Sequence, residues 1–354
     1  MRLAIDASRT TVARVTGTEH YAVEMIRALI GLNNTHDITL YFRDTPPPDL
    51  FPPSERVTQR VIPFSRAWTH LRFAAELWRD RPDLTWVPAH TLPLLFPGRA
   101  AVTVHDLGYK FFPLAHPLKQ RLYLDGTTRY SAARASVVLA DSQATADDLT
   151  RFYETSASKI RVVYPGVDAP TISDVAGVRK KYGLPERYFL FLGTLQPRKN
   201  IGRIAAAYRS AKLTDLTALV LAGGQGWLYD PAWTAGTDGV ILPGYIDDAD
   251  KGALYAGALA LFFPSLYEGF GFPVLEAMHC GTPVICSNTS SLPELAGEAA
   301  LLVNPFDVEA IAEAMRSIAK DEALRLSLRE KGFVQARKFT WEAAARAALE
   351  AFEL

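Results

Sequence analysis

Residues 258–283 constrain the chain most. They open with a strand-length apolar run at 258–263 and pass through a turn bearing Gly269 and Gly271. A helical pattern follows, opened by Pro273 and ended by Gly281-Thr282-Pro283. Proline suits the first helical position because its missing N–H would be unpaired there anyway. The amides of Gly269, Phe270, Gly271 and Phe272 then point out of the turn as a seat for an anion, expected to be phosphate. Apolar strand-length runs at 3–6, 38–42, 60–63, 85–88, 100–104 and 136–140 alternate with helical patterns, as do those at 188–193, 218–222, 240–246, 283–286 and 300–303. Such alternation predicts an α/β chain with parallel, doubly wound sheets, and 354 residues exceed what one core ordinarily holds, so two domains are expected.

In doubly wound sheets, ligands sit at the carboxyl ends of the strands, which directs attention to the residues just after each run. Glu268 lies in the central turn. Glu276 lies one helical turn inside an otherwise apolar segment, where an ionised carboxylate needs a polar partner such as a sugar or ribose hydroxyl. Equally, Glu268 reads as a solvated turn residue and Glu276 as a satisfied core acid. Arg198 and Lys199 follow the run at 188–193, which ends at Gly193, and two adjacent cations beside a helix N-terminus ask for an anion. His105 and Asp106 follow the run at 100–104; Asp106 is expected to orient loop backbone rather than react. Gly17, in the polar turn before the first helix, either lets backbone approach a diphosphate or is a plain helix-entry glycine.

The spacing from Glu268 to Glu276 inside PSLYEGFGFPVLEAMHCGTPVI resembles the E-x7-E signature of the retaining family-4 glycosyltransferases, which have the GT-B fold. That resemblance implies two Rossmann-like domains facing a central cleft: residues 1–168, then 169–337, with a last helix at 338–354 crossing back to the first. It implies that Glu268 and the amides after it contact the donor sugar, that Glu276 holds the nucleotide ribose, and that Arg198 and Lys199 contact the donor phosphates. Gly193 is placed at the same nucleotide site, Gly244, Tyr245 and Ile246 cradle the base, the loop at Gly17 closes over the phosphates, and His105 lies beside the donor sugar. The His105-Asp106-Leu107 element, the Phe111-Phe112-Pro113 that follows and the VYPGVD break near 163–168 resemble the mannosyltransferase-like branch. The implied reaction moves a hexose, first choice mannose from GDP-mannose, to a glycan or lipid-linked glycan acceptor in surface polysaccharide synthesis. Two rivals stand beside it: a glycoside hydrolase using Glu268 and Glu276, and a non-catalytic subunit that binds a sugar nucleotide.

Composition removes other classes. Thirty-eight cations against 38 anions leave no basic excess, so no nucleic-acid partner is expected. Cys280 and Cys286 are the only cysteines and complete no zinc set; Asp248-Ala249-Asp250 has a metal-like D-x-D spacing, but Asp247 and Asp248 precede the helix containing Leu254 and Tyr255, where acids cap and complement its dipole, so neither cofactor nor metal is expected. The N-terminal MRLAIDAS lacks a signal-type apolar core, and no window approaches the ~18 apolar residues of a membrane span. A cytoplasmic protein is expected. At 60–81, Arg60, Arg66, Arg72, Arg79 and Arg81 interleave with Phe64, Trp68, Leu71, Phe73, Leu77 and Trp78, the pattern of either a core-facing helix with a basic side or a peripheral contact with an anionic membrane.

Overall fold

The computed structural model describes residues 1–12, 17–33, 35–115 and 117–354. The chain divides into two compact units, Met1–Gly166 with Phe339–Leu354, and Val167–Lys338.

The first unit is built on a seven-stranded sheet: β1 (Arg2–Asp6), β2 (Asp37–Phe42), β3 (Val57–Val61), β4 (Leu84–Val87), β5 (Arg99–Val104), β6 (Val137–Ala140) and β7 (Ile160–Val162), in the spatial order β3-β2-β1-β4-β5-β6-β7. Every pairing is parallel. The chain winds outward from β1 to β3, returns to β4, and winds the other way, so the topological switch lies between β1 and β4. Strands β4 and β6 are buried at every position, as a parallel strand covered on both faces must be. Val102, Val104, Val138, Phe73 and Leu77 meet in one core.

Helix Gly17–Leu32 covers the sheet with Tyr21, Met25, Ile26 and Leu29. The C-terminal helix Trp341–Glu353 packs on it: Trp341 meets the rings of His20 and Tyr21, and Phe352 meets Trp86. Thr340 caps that helix by accepting from the Ala343 amide at 3.1 Å. A Cβ on Gly166 would lie 2.1 Å from the Trp341 amide nitrogen, so only glycine fits where the chain leaves this unit.

The second unit carries β8 (Tyr188–Leu192), β9 (Ala218–Ala222), β10 (Val240–Gly244), β11 (Ala260–Phe263), β12 (Val284–Ser287) and β13 (Ala300–Val303), again all parallel, in the order β10-β9-β8-β11-β12-β13. Its switch lies between β8 and β11, where Phe189 packs edge-on to Phe262 and Phe191 stacks on Phe263.

Three local expectations are corrected. The third strand is Val57–Val61 rather than 60–63, because this edge strand is largely exposed and its apolar signal begins late. Pro273 takes the second helical position: helix Phe272–His279 starts after an N-cap Gly271 at φ +130°. Asp247 makes no capping bond; instead Lys181 Nζ bridges it to Asp250 at 2.7 and 2.6 Å, while Asp248 does lie in the first turn, held by Lys251 at 2.6 Å.

Candidate active site

In the second unit, the loops after β8 and β11 flank the switch and are joined residue by residue. Asn200, at φ +64°, donates from its side chain to the carbonyls of Pro264 and Pro305, and the Leu266 amide donates to the Arg198 carbonyl at 2.8 Å. That registration brings Arg198 and Lys199 onto the turn they were expected to share with Glu268. Arg198 Nη1 donates to Glu268 Oε2 and to the Tyr267 carbonyl, each at 2.7 Å, while Lys199 Nζ donates to Glu268 Oε1 at 2.6 Å. Lys199 also lies 4.6 Å over the Phe263 ring. The anion that the cationic pair asks for is therefore, in this structure, the Glu268 carboxylate. Burial pushes the Glu268 pKa up, but Arg198 and Lys199 outweigh it and hold the group below its ordinary 4.5. A lysine ammonium has three donors and a guanidinium five, so Glu268 alone saturates neither.

Behind the turn, Ser290 accepts from the Glu268 amide at 3.0 Å, and Ser291 donates to the carbonyls of Glu268 and Phe270. Phe270 is buried and meets Phe272 edge-on; a Cβ on Gly271 would strike Leu292 at 2.7 Å, so the turn admits only glycine there. Gly269 is buried as well. Glu276 finds its polar partner inside the protein: the Tyr255 hydroxyl donates to Oε2 at 2.7 Å, and burial, then Glu276, raises the Tyr255 pKa well above its ordinary value.

The remaining second-unit candidates gather at the same strand ends. Gly193, at φ +152°, caps β8 and lies so close to Gly223 that a Cβ on the latter would sit 2.0 Å from the Gly193 oxygen. Gly244, at φ +82°, accepts from the Gly223 amide at 2.7 Å and faces open space where a side chain would be. Tyr245 is 70% exposed, whereas Ile246 is buried, leaving only backbone from that residue for a ligand.

In the first unit His105 follows β5 and is enclosed by neighbours that spacing alone did not reveal. Its Nδ1 lies 2.7 Å from Asp141 Oδ2 at the end of β6, and its Nε2 donates to the Pro88 carbonyl, after β4, at 3.3 Å. Tyr21 packs edge-on to the ring at 4.9 Å, and the His105 amide donates to His90 Nε2 at 3.2 Å. Burial pulls the His105 pKa down, yet the Asp141 carboxylate outweighs it, so the net direction is up from 6.5. His90 is pushed the other way, to about 3, by burial and by His105. Asp106 orients backbone as expected, accepting from the Gly108 amide at 2.7 Å. Gly17 is exposed at the start of its helix; Thr16, in the same expected loop, lies outside the described residues.

The segment at 60–81 turns Trp68, Phe73 and Leu77 into the core. Three of its arginines are ion-paired, Arg60 with Asp80 and both Arg72 and Arg79 with Glu76, while Arg66 and Arg81 are exposed. Phe64, Leu71 and Trp78 stay exposed. Among the described residues no helix is long and apolar enough to cross a membrane.

Two doubly wound α/β units, each with polar residues collected at the carboxyl ends of its strands, define a two-domain ligand-binding enzyme class. Two family descriptions match: Glycosyltransferase Family 4 over residues 15–170 and Glycosyl transferases group 1 over 177–335. The chain is 30% identical over 369 residues to an O-antigen chain mannosyltransferase B of Escherichia coli, covering 96% of each. It is 27% identical to a serotype-specific mannosyltransferase WbdA of the same organism, over 94% of this chain and 45% of that one, so it spans under half of the longer relative. Among solved structures, a sucrose-phosphate synthase from Thermosynechococcus elongatus superposes with a TM-score of 0.76 at 23% identity, over 99% of this chain and 98% of the other. The chain belongs to the group 1, family-4 glycosyltransferases, with their paired Rossmann-like domains. It is accordingly a hexosyltransferase, working with a nucleotide-sugar donor and a glycan acceptor.

Proposed function

We propose that the protein transfers mannose from GDP-mannose, with retention of configuration and without a metal ion, to a glycan or lipid-linked glycan in surface polysaccharide synthesis. The observation that carries this reading is the convergence of Arg198, Lys199 and Glu268 at the β8/β11 switch. When a nucleoside diphosphate leaves, negative charge develops on phosphate oxygens, and a preorganised cationic pair beside a helix N-terminus is suited to receive it. Cations supplied by the chain itself fit a reaction that needs no metal. Glu268 would accept hydroxyls of the donor sugar, Glu276 those of the ribose, and Gly244 with Tyr245 would flank the base. The choice of mannose rests on the names of the relatives in O-antigen synthesis.

The hydrolase alternative fares worse on chemistry. Arg198 and Lys199 hold the Glu268 pKa down, which unsuits it to be the acid of a glycosidase, and a hydrolase of simple glycosides leaves that buried cationic pair without a use. A non-catalytic binding subunit differs in predicting nucleotide binding without turnover. Isothermal titration against GDP and UDP, followed by donor turnover with and without EDTA, tests the proposal: GDP binding with EDTA-insensitive mannose transfer is expected. Binding of UDP alone would overturn the donor, and binding of neither would overturn the site.

Residues 60–81 would also place the enzyme peripherally on the inner face of a membrane, in the cytoplasm. Exposed Phe64, Leu71 and Trp78 would enter the interface, and exposed Arg66 would meet anionic headgroups.

A further inference from the structure

We infer that Asp141 is a positioning residue that acts with the Pro88 carbonyl: the carbonyl fixes a hydrogen on His105 Nε2 and the carboxylate holds the proton at Nδ1, so that in the transfer reaction His105 donates at Nε2 and does not act as a base. The inference rests on the glycosyltransferase reading for its relevance to catalysis, but its chemistry stands on the first unit alone.

A carboxylate at Nδ1 by itself would favour a neutral ring protonated at Nδ1 and bare at Nε2, the arrangement of a general base. Here a second acceptor faces the other nitrogen. The Pro88 carbonyl lies 3.3 Å from Nε2, and a carbonyl oxygen has no hydrogen to offer, so the hydrogen between them belongs to the ring. With Asp141 Oδ2 at 2.7 Å from Nδ1, the His105–Asp141 pair holds one proton between Nδ1 and the carboxylate and another on Nε2. However the first is shared, Nε2 carries its hydrogen.

The surroundings agree. Thr145 donates to the His105 carbonyl at 3.2 Å and His90 accepts from its amide at 3.2 Å, so the backbone of His105 is held from both sides. His90 must have a bare Nε2 to accept that bond, which keeps it neutral beside the pair. The Tyr21 ring packs edge-on to the imidazole from helix Gly17–Leu32. The charged and titratable groups facing His105 are thus Asp141 after β6, Tyr21 on that helix, His90 after β4 and Asp106 on its own loop; Arg9 reaches only as far as His90. Asp141 supplies the opposite charge in direct contact, and Asp141 and His105 are both buried to within about a tenth of their side-chain surface.

Strand order makes the contact. Residues 88, 105 and 141 follow β4, β5 and β6, which lie side by side, so three successive strand ends present an acceptor, an imidazole and a carboxylate in one row. A sugar hydroxyl reaching Nε2 would take over the bond that Pro88 now accepts.

The test is long-range proton–nitrogen NMR of protein labelled at histidine nitrogens, without any ligand, with His105 assigned by the signal missing from His105→Gln. In the wild type Nε2 should keep its hydrogen as the pH is raised above the ordinary 6.5; a bare Nε2 at neutral pH overturns the inference. In Asp141→Asn, which keeps the shape and removes the charge, the ring should fall to a single hydrogen as the pH rises through a midpoint at or below the ordinary 6.5; a ring that keeps hydrogens on both nitrogens well above that midpoint also overturns the inference. If Asp141→Asn does not fold, the wild-type titration still decides. Turnover of GDP-mannose by a folded Asp141→Asn should fall about tenfold in kcat at neutral pH with KM little changed. The NMR result does not depend on the donor, so failure of this inference and failure of the proposed reaction are told apart.

Discussion

Glu268 holds two cations in a place from which water is largely excluded, and that sets its contribution to stability. Removing one partner of a buried ion pair leaves an uncompensated charge and costs on the order of 3–5 kcal/mol. Glu268→Gln should therefore lower stability by about 3 kcal/mol at neutral pH, read from urea midpoints. Because Arg198 and Lys199 depress the folded-state pKa, the wild-type advantage is fully present above the unfolded value of 4.5 and is lost as pH falls through the folded value. The gap between wild type and Glu268→Gln should narrow below pH 4.5; a gap unchanged at about pH 3 would show that the triad contributes no pH-dependent stability. The residues of this cluster were legible because a carboxylate in a glycine turn and a cation pair after an apolar run are unusual locally. Asp141 is not, although it too directly follows a four-residue apolar run, because the sequence around it looks like no more than the approach to a helix, which Ser142 caps by accepting from the Thr145 amide. What separates it from a bland strand-end acid is the adjacency of β5 and β6, which no residue spacing encodes.

At the scale of elements, an unbroken apolar run located a strand and a polar one hid it. Strand β9, buried at four of five positions, and edge strand β13, only one of whose residues is buried, both match their apolar runs at both ends, while edge strand β3, whose first half carries Thr58 and Gln59, was displaced by three residues at its start. The helical part of the 60–81 segment shows the other limit: its apolar side was evident, but that Glu76 and Asp80 would engage Arg60, Arg72 and Arg79 depended on side chains meeting across turns. If the segment touches membranes, it does so by apolar insertion more than by charge. Wild-type protein should float with liposomes containing anionic lipid, and Leu71→Ser with Trp78→Ser should abolish flotation. Neutralising Arg72 and Arg79 should change it little, and failure of the wild type to float would remove the membrane contact.

For the whole molecule, the two-unit organisation followed from length and alternation, whereas the closing of the first unit by residues from the far end of the chain did not follow from periodicity. Trp341, Ala345, Ala348 and Phe352 are buried in the first unit, against helix Gly17–Leu32 and Trp86. A chain stopped after Lys338 should lose that cover: its first unit should unfold at a lower temperature by differential scanning calorimetry, while the transition of the second unit, contiguous from Val167 to Lys338, should stay in place. Coincident loss of both transitions would mean that the units do not unfold independently. Placing the closing helix after the second unit also imposes an order on biosynthesis. As the polypeptide emerges from the ribosome, the half translated first must wait, incomplete, until nearly everything behind it has been made, whereas the half translated second has all of its own parts in hand sooner. The first unit is finished by residues made after the second.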